Sequence, residues 1–279
     1  MSYRAIAVHV DQSDHAPARV ALAAQLAAAM DTHLTGVAAT GIPRLAQAGG
    51  DRPAWRLPLL ERRRLAQRSL DMFDGVAAAF GVAGRTMALA EDDSAAALLS
   101  HARFADLLIV SQHDPQDQLP AQLENLPPYL LLNSGRPLLV TPRGLEPGRP
   151  AFAPFSHVLL GWDGSRHAAR AIADALPLLR MARSVTLLML NGASALRCHG
   201  DMPGADMALF LARHEIAADM ADGFSSAATG ATLLNWAADL RCDLLVMGGY
   251  GHPRAREVQL GDATRTVLHG ATLPVLISH

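Results

Sequence analysis

The chain carries one pattern twice. An apolar run that ends in an acid, Ile6 to Asp11, returns as Val158 to Asp163, and a serine follows two positions after each acid, Ser13 and Ser165. Further on, Ala105-Asp106-Leu107-Leu108-Ile109-Val110 returns as Cys242-Asp243-Leu244-Leu245-Val246-Met247. Arg136-Pro137-Leu138-Leu139-Val140 returns as Leu273-Pro274-Val275-Leu276-Ile277, and both of these pairs lie 137 positions apart. A repeat on this scale makes the chain two copies of one unit, and its 279 residues are twice an ordinary domain of ~100 to 150 residues.

Within each copy, apolar runs of about five to seven residues alternate with alanine-rich stretches of helical spacing, the pattern of a parallel sheet covered by helices. The fold class expected is α/β: two tandem five-stranded parallel-sheet domains with helices on both faces. Strands are expected near 4–10, 33–38, 84–90, 106–111 and 137–141 in the first copy. In the second they are expected near 157–162, 184–190, 216–222, 243–248 and 273–277. The first helix is expected over 14–30, capped by Ser13 or Asp14. Pro142 to Phe155 has four prolines, two glycines and no periodicity, so the domains are read as 1–141 and 156–279 with a linker over 142–155. The first copy has about 15 extra residues, placed in the Gly/Pro-rich stretch from Gly41 to Pro58. Arg62-Arg63-Arg64 reads as a solvated helix face.

Composition removes whole classes of chemistry. All 24 Lys or Arg residues are arginine, so a Walker A loop, a kinase ATP site and a Schiff-base mechanism cannot be built. A net charge of -2 argues against a nucleic-acid or anionic-membrane partner. Without a charged leader or a run of ~20 apolar residues, a soluble cytoplasmic protein is expected. Cys198 and Cys242 are too few for a disulfide framework and are expected as reduced thiols. Cys198-His199-x-Asp201 does not match a zinc pattern, and Ser165 lacks a matched base, so neither a metal site nor a hydrolase triad is expected. His269 and His279 are read as surface or interface residues.

In an open parallel sheet, ligands bind beyond the carboxyl ends of the strands. Asp11 and Asp163 stand at that edge, where a carboxylate either accepts hydrogen bonds from a nucleoside or serves the start of the following helix. Only the second copy continues from its fourth strand into Gly248-x2-Gly251-x9-Gly261, with a helical run beyond it. Glycines there let backbone amides approach phosphate oxygens, and a helix start adds about half a positive charge. The corresponding residues of the first copy are Ser111, Asp114 and Glu124, so that half is not expected to bind a triphosphate.

On these residues the whole chain resembles a tandem member of the universal stress protein family. Its ATP-binding members have an aspartate after the first strand and a Gly-x2-Gly-x9-Gly-(Ser/Thr) signature after the fourth. The resemblance implies that Asp163, followed by Gly164 and Ser165, meets the adenosine moiety and that Leu190 contacts adenine. It implies that Gly248, Gly251, His252, Gly261, Asp262 and Ala263 line the phosphates of ATP or another adenine nucleotide, with magnesium as a further component. It also implies that the two halves pack as an internal pseudo-dimer through their last strands, whose apolar edges need a partner, and allows a homodimer of chains. The sequence departs from the signature at Asp262, where the family has Ser or Thr. Like charges 4 Å apart repel by about 4 kcal/mol at an effective dielectric of 20, so weak triphosphate affinity is expected unless an arginine or magnesium offsets it. The rival expectations are a scaffold with decayed sites and, more remotely, a slow ATPase.

Overall fold

The computed structural model describes residues 2–43, 53–114, 126–145, 155–190, 204–225, 229–249 and 261–279, and side chains from Pro58 onward in the helix that begins at Pro53. Its contacts divide the chain into two compact units: one of Ser2–Arg136 with Arg143–Pro150, the other of Pro137–Pro142 with Ala151–His279.

The first unit holds β1 (Ala5–His9), α1 (Ala16–Met30), β2 (His33–Ala39), α2 (Pro53–Ala79), β3 (Arg85–Ala90), α3 (Ser94–Ala102), β4 (Leu107–Ser111) and α4 (Leu126–Asn133). Its strands run parallel in the order β3-β2-β1-β4. Leu107, Leu108, Ile109 and Val110 are buried without alternation, because helices cover both faces of a parallel sheet. α1 is packed so closely that Ala16, Ala18, Val20, Leu22, Ala23, Ala24, Leu26 and Ala27 are all buried, together with one charged residue, Arg19.

The second unit begins with β5 (Leu138–Thr141) and continues with β6 (His157–Trp162), α5 (Arg166–Leu179), β7 (Ser184–Leu190), α6 (Ala205–Arg213), β8 (Asp219–Gly223), α7 (Thr229–Asp239), β9 (Leu244–Gly248), α8 (Asp262–Gly270) and β10 (Val275–Ser278). The strand order is β5-β10-β9-β6-β7-β8, parallel except at one place. There β5 pairs antiparallel with β10, with Val140 opposite Val275, Leu139 opposite Leu276 and Leu138 opposite Ile277. All six residues are buried. The apolar edge of β10 is thus covered by the fifth strand of the preceding repeat. α5 buries Ala168, Ala171, Ile172, Ala175, Leu178 and Leu179, the spacing of a single helical face, against β9 and β10.

The recurring aspartate before the fourth strand has a structural task in each unit. Asp106 Oδ2 accepts the backbone N–H groups of Arg4 and Ala5 at 2.7 and 3.1 Å. Asp243 accepts those of Ser156 and His157, at 2.7 Å from its Oδ2 and 2.9 Å from its Oδ1. A carboxylate thereby ties the start of β1 or β6 to the start of its neighbour.

Strand positions follow the sequence reading closely, except that β8 lies over Asp219–Gly223 rather than from 216. The start of α1 differs more. Its N-cap is His15 and no side chain caps it, because the Ser13 hydroxyl is turned back to donate to Asp11 Oδ1 at 2.6 Å. Arg62, Arg63 and Arg64 are exposed on α2, with Arg63 paired to Glu91 at 3.1 Å. Residues 44–52 of the Gly41–Pro58 insertion, 146–154 of the linker, and Cys198, His199 and Asp201 lie outside the described residues.

Candidate functional site

At the carboxyl edge of the second sheet, β6 ends at Trp162 and the chain turns into α5. Gly164 makes that turn with φ of 74°, a conformation costly for a side-chain-bearing residue. Asp163 is exposed, and its Oδ1 accepts the Ser165 N–H at 2.9 Å. Ser165 is the N-cap of α5, its Oγ accepting the Ala168 N–H at 3.1 Å. Ser165 is therefore committed to the helix, whereas Asp163 keeps an oxygen that accepts no hydrogen bond from another described residue. Leu190 ends β7, half-buried and in register with Gly223 of β8.

The two described glycines of the motif differ in what demands them. A β-carbon at Gly248 would stand 2.5 Å from Ala168 N and 2.6 Å from the His167 carbonyl carbon, both backbone atoms of the first turn of α5. Close packing of β9 on α5 alone requires that glycine. At Gly261 a β-carbon would meet no described atom within 4 Å, and φ is an ordinary -55°. Gly261 is the N-cap of α8 and brings no capping side chain of its own.

Asp262 is the first residue of α8 and not its cap. Its exposed carboxylate accepts no hydrogen bond from another described residue, so it does not plug the helix start from within that set. Ala263 is seated against α7, its carbonyl oxygen 2.7 Å from where a β-carbon of Gly230 would be. Gly251 and His252 lie outside the described residues.

Beside Gly248, the rings of His167 and His279 stack at 4.7 Å between centroids with an 8° tilt. His167 Nε2 accepts from Arg166 Nε at 3.2 Å, which leaves the proton of the neutral ring on Nδ1, a buried donor with no partner among the described residues. Burial, then His279 and Arg166, push the His167 pKa down against the pull of Asp163. The sequence reading passed over His167. The signal available was its place four residues after Asp163, matching His15 after Asp11.

The first unit closes the same edge with its own side chains. Arg19, 1 % exposed, reaches from α1 to the ends of two strands. Its Nε donates to the His9 carbonyl oxygen at 2.7 Å, Nη1 donates to Ser111 Oγ, and Nη2 lies 2.9 Å from Asp11 Oδ1. Ser111 is the counterpart of Gly248, and eight residues after Asp163, where Arg19 would recur, stands Ala171. His15 Nε2 lies 2.7 Å from Asp114, the counterpart of Gly251. Burial would raise the Asp11 carboxyl, but Arg19, His9 and Ser13 hold it well below the usual carboxylate range. Burial pushes His9 down to about 4, opposed by Asp11 and assisted by Arg19.

Among the described residues no group of three or more His, Cys, Asp or Glu is placed to hold a metal, and no helix is long and apolar enough to cross a membrane. The second unit thus offers an exposed carboxylate at Asp163 and a glycine N-cap at the start of α8, where the first presents a neutralised ion pair.

Residues 226–279 match the model of the universal stress protein family. No curated protein matches the chain. Among solved structures, a universal stress protein from Archaeoglobus fulgidus DSM 4304 is similar over 98% of this chain and 95% of its own, at 13% identity and a TM-score of 0.68. A functionally unknown protein from Pseudomonas aeruginosa PAO1 is similar over 99% and 92%, at 14% identity and a TM-score of 0.60. These structures share the fold over nearly the whole chain.

Proposed function

For a chain that has the universal stress protein fold and carries that family's domain at residues 226–279, we propose that the second unit holds an adenine nucleotide and that the protein acts as a stress-response regulator through it. One observation carries the reading. Gly261, as the N-cap of α8, brings no side chain of its own to the helix start, and neither its backbone nor its described neighbours require a glycine there. A glycine that packing does not demand, at the positive end of a helix dipole, suits an anionic oxygen approaching the backbone.

Asp163 stands at the same edge with an oxygen able to accept from a ribose hydroxyl or an exocyclic amine, and Leu190 supplies an apolar strand end for the base. Asp262 lowers the affinity for a triphosphate relative to AMP by like-charge repulsion, since its carboxylate is exposed beside the first amides. A magnesium ion carried with the phosphates would offset that repulsion. The first unit takes no nucleotide, because Arg19 already neutralises Asp11.

A scaffold without a ligand is favoured by Gly248, whose packing against α5 explains it fully. Calorimetry with ATP and AMP separates the readings. Nucleotide binding predicts AMP at least as tight as ATP in wild type and a gain for ATP in Asp262→Ser. The scaffold predicts no heat with either ligand in either protein.

A further inference from the structure

β3 and β8 stand at the ends of the strand order of their units, and the two edges are built differently. β8 carries Asp219 and Asp222, both exposed, among its five residues. Charges on an open edge keep a further strand from adding to it. β3 reads Arg-Thr-Met-Ala-Leu-Ala, with neither a charge nor a proline from Thr86 to Ala90. Among the described residues it pairs with β2 alone.

The inner side of β3 is fixed by the Gly84 and Ala90 carbonyl oxygens, which accept the N–H groups of Leu34 and Thr40 at 2.8 and 2.9 Å. Backbone direction alternates along a strand, so the N–H and C=O groups of Arg85, Met87 and Leu89 point away from β2. Thr86 is exposed and Met87 is 47 % exposed, while α3 packs on β1 and β2. β3 thus presents an uncharged row of outward backbone groups.

Its two ends differ in charge. At the start, Arg85 donates from Nε to Asp74 at 2.6 Å and from Nη1 to the Val82 carbonyl oxygen at 2.9 Å, which leaves Nη2 without a partner among the described residues. At the end stand Glu91, Asp92 and Asp93, with Glu91 3.1 Å from Arg63 and Asp93 capping α3. Such a strand complements itself when reversed, since the acidic end of one copy then lies beside the arginine of the other. A parallel copy would set the two acidic ends side by side, which like-charge repulsion opposes.

We propose that β3 is the docking edge for a second copy of this chain, two β3 strands pairing antiparallel about a two-fold axis through Ala88. In that register Met87 exchanges N–H···O bonds with the partner's Leu89, and Arg85 stands opposite the partner's Glu91. The contact is isologous, so both pairings occur twice. Ala88 meets its own copy as a non-hydrogen-bonded pair, the Cα atoms about 4.5 Å apart.

Sedimentation equilibrium of the full chain, wild type beside Met87→Asp, reads the dimer. Wild type is expected to approach twice the 29.6 kDa chain mass as concentration rises. Met87→Asp gives β3 the kind of charge that β8 carries, and it is expected to weaken dimerisation about tenfold, because symmetry puts the carboxylate into the pairing twice. Its melting temperature, read alongside, is expected to match that of wild type at a concentration where both are monomeric, since Met87 is exposed. The register is read by cross-linking in a Cys198→Ser, Cys242→Ala background. Ala88→Cys is expected to form a disulfide between chains under mild oxidation, the Cα spacing being within disulfide reach. Thr86→Cys is not, because its two copies lie about 14 Å apart in this register.

A wild-type monomer at every concentration would overturn the proposal and leave the edge to a strand of another protein. A dimer that Met87→Asp does not weaken would place the interface elsewhere, and cross-linking at Thr86→Cys in place of Ala88→Cys would contradict the register; either result overturns it.

Discussion

The Arg19 guanidinium lies 2.9 Å from the Asp11 carboxylate at the end of β1, with both groups withdrawn from solvent and the same arginine bound to the ends of β1 and β4. In the other repeat the matching residues are Ala171 and an exposed Asp163. One substitution on a buried helix face therefore decides whether the strand-end acid is satisfied within the protein or presented outward.

Breaking that pair leaves a buried charge uncompensated. Arg19→Met is expected to destabilise the first unit by about 3 to 5 kcal/mol, while adding Asp11→Asn recovers much of the loss. Chemical denaturation of the two single variants and the double variant measures the coupling. Additive losses would mean that Arg19 acts through packing alone.

His9 is buried and neutral, with its pKa pushed down to about 4. The unfolded chain takes up a proton at this residue near pH 6.5, before the folded chain does, so stability falls as pH drops from about 6.5 to 4. The loss attributable to His9 amounts to roughly 3 kcal/mol once both states are protonated. Asp11, whose folded pKa is depressed, adds a further loss only below its ordinary pKa near 4. His9→Asn is expected to flatten the pH 6.5 to 4 limb of a urea-denaturation series and to leave the more acidic limb in place.

The two motif glycines should separate under mutation. Gly248→Ala forces a β-carbon onto the backbone of α5 and is expected to cost about 1 to 3 kcal/mol. Gly261→Ala meets no described neighbour and should stay within about 1 kcal/mol of wild type, yet weaken nucleotide binding by crowding the amides. Melting temperature read beside ligand affinity distinguishes the two effects. A stability loss at Gly261 as large as that at Gly248 would show that packing, not a ligand, demands that glycine.

Cys242 is half-buried next to Asp243, and burial first, then that carboxylate, push its thiol up to about 11. In a Cys198→Ser background at pH 7.5, alkylation by iodoacetamide should run about a hundredfold slower than for free cysteine, since thiolate is the reactive form. A rate equal to that of free cysteine would mean that the loop before β9 opens readily.

The parallel architecture was legible because continuous apolar runs such as Leu107 to Val110 and Leu244 to Met247 allow little else. The edge aspartates and the glycine spacing were legible for the same reason: they sit where strands end. What the sequence concealed were relationships between distant elements. Nothing local distinguishes Arg19 from a solvated arginine on an alanine-rich helix, and only the arrangement of β1, β4 and α1 makes it the internal partner of Asp11. Nor does the spacing say that Gly248 is needed by α5, which begins 82 residues earlier at Arg166. Ser13 looked like a helix cap because Asp-x-Ser is common at helix starts, but the carboxylate of Asp11 competed for its hydroxyl.

In the proposed reading, one repeat is open to a nucleotide and the other is sealed by its own arginine. Native mass spectrometry of the full chain across an ATP titration tests it most directly. Saturation at one nucleotide per chain is expected, lost in Asp163→Ala and retained in Asp11→Asn. Two nucleotides per chain, or none at any concentration, would contradict it.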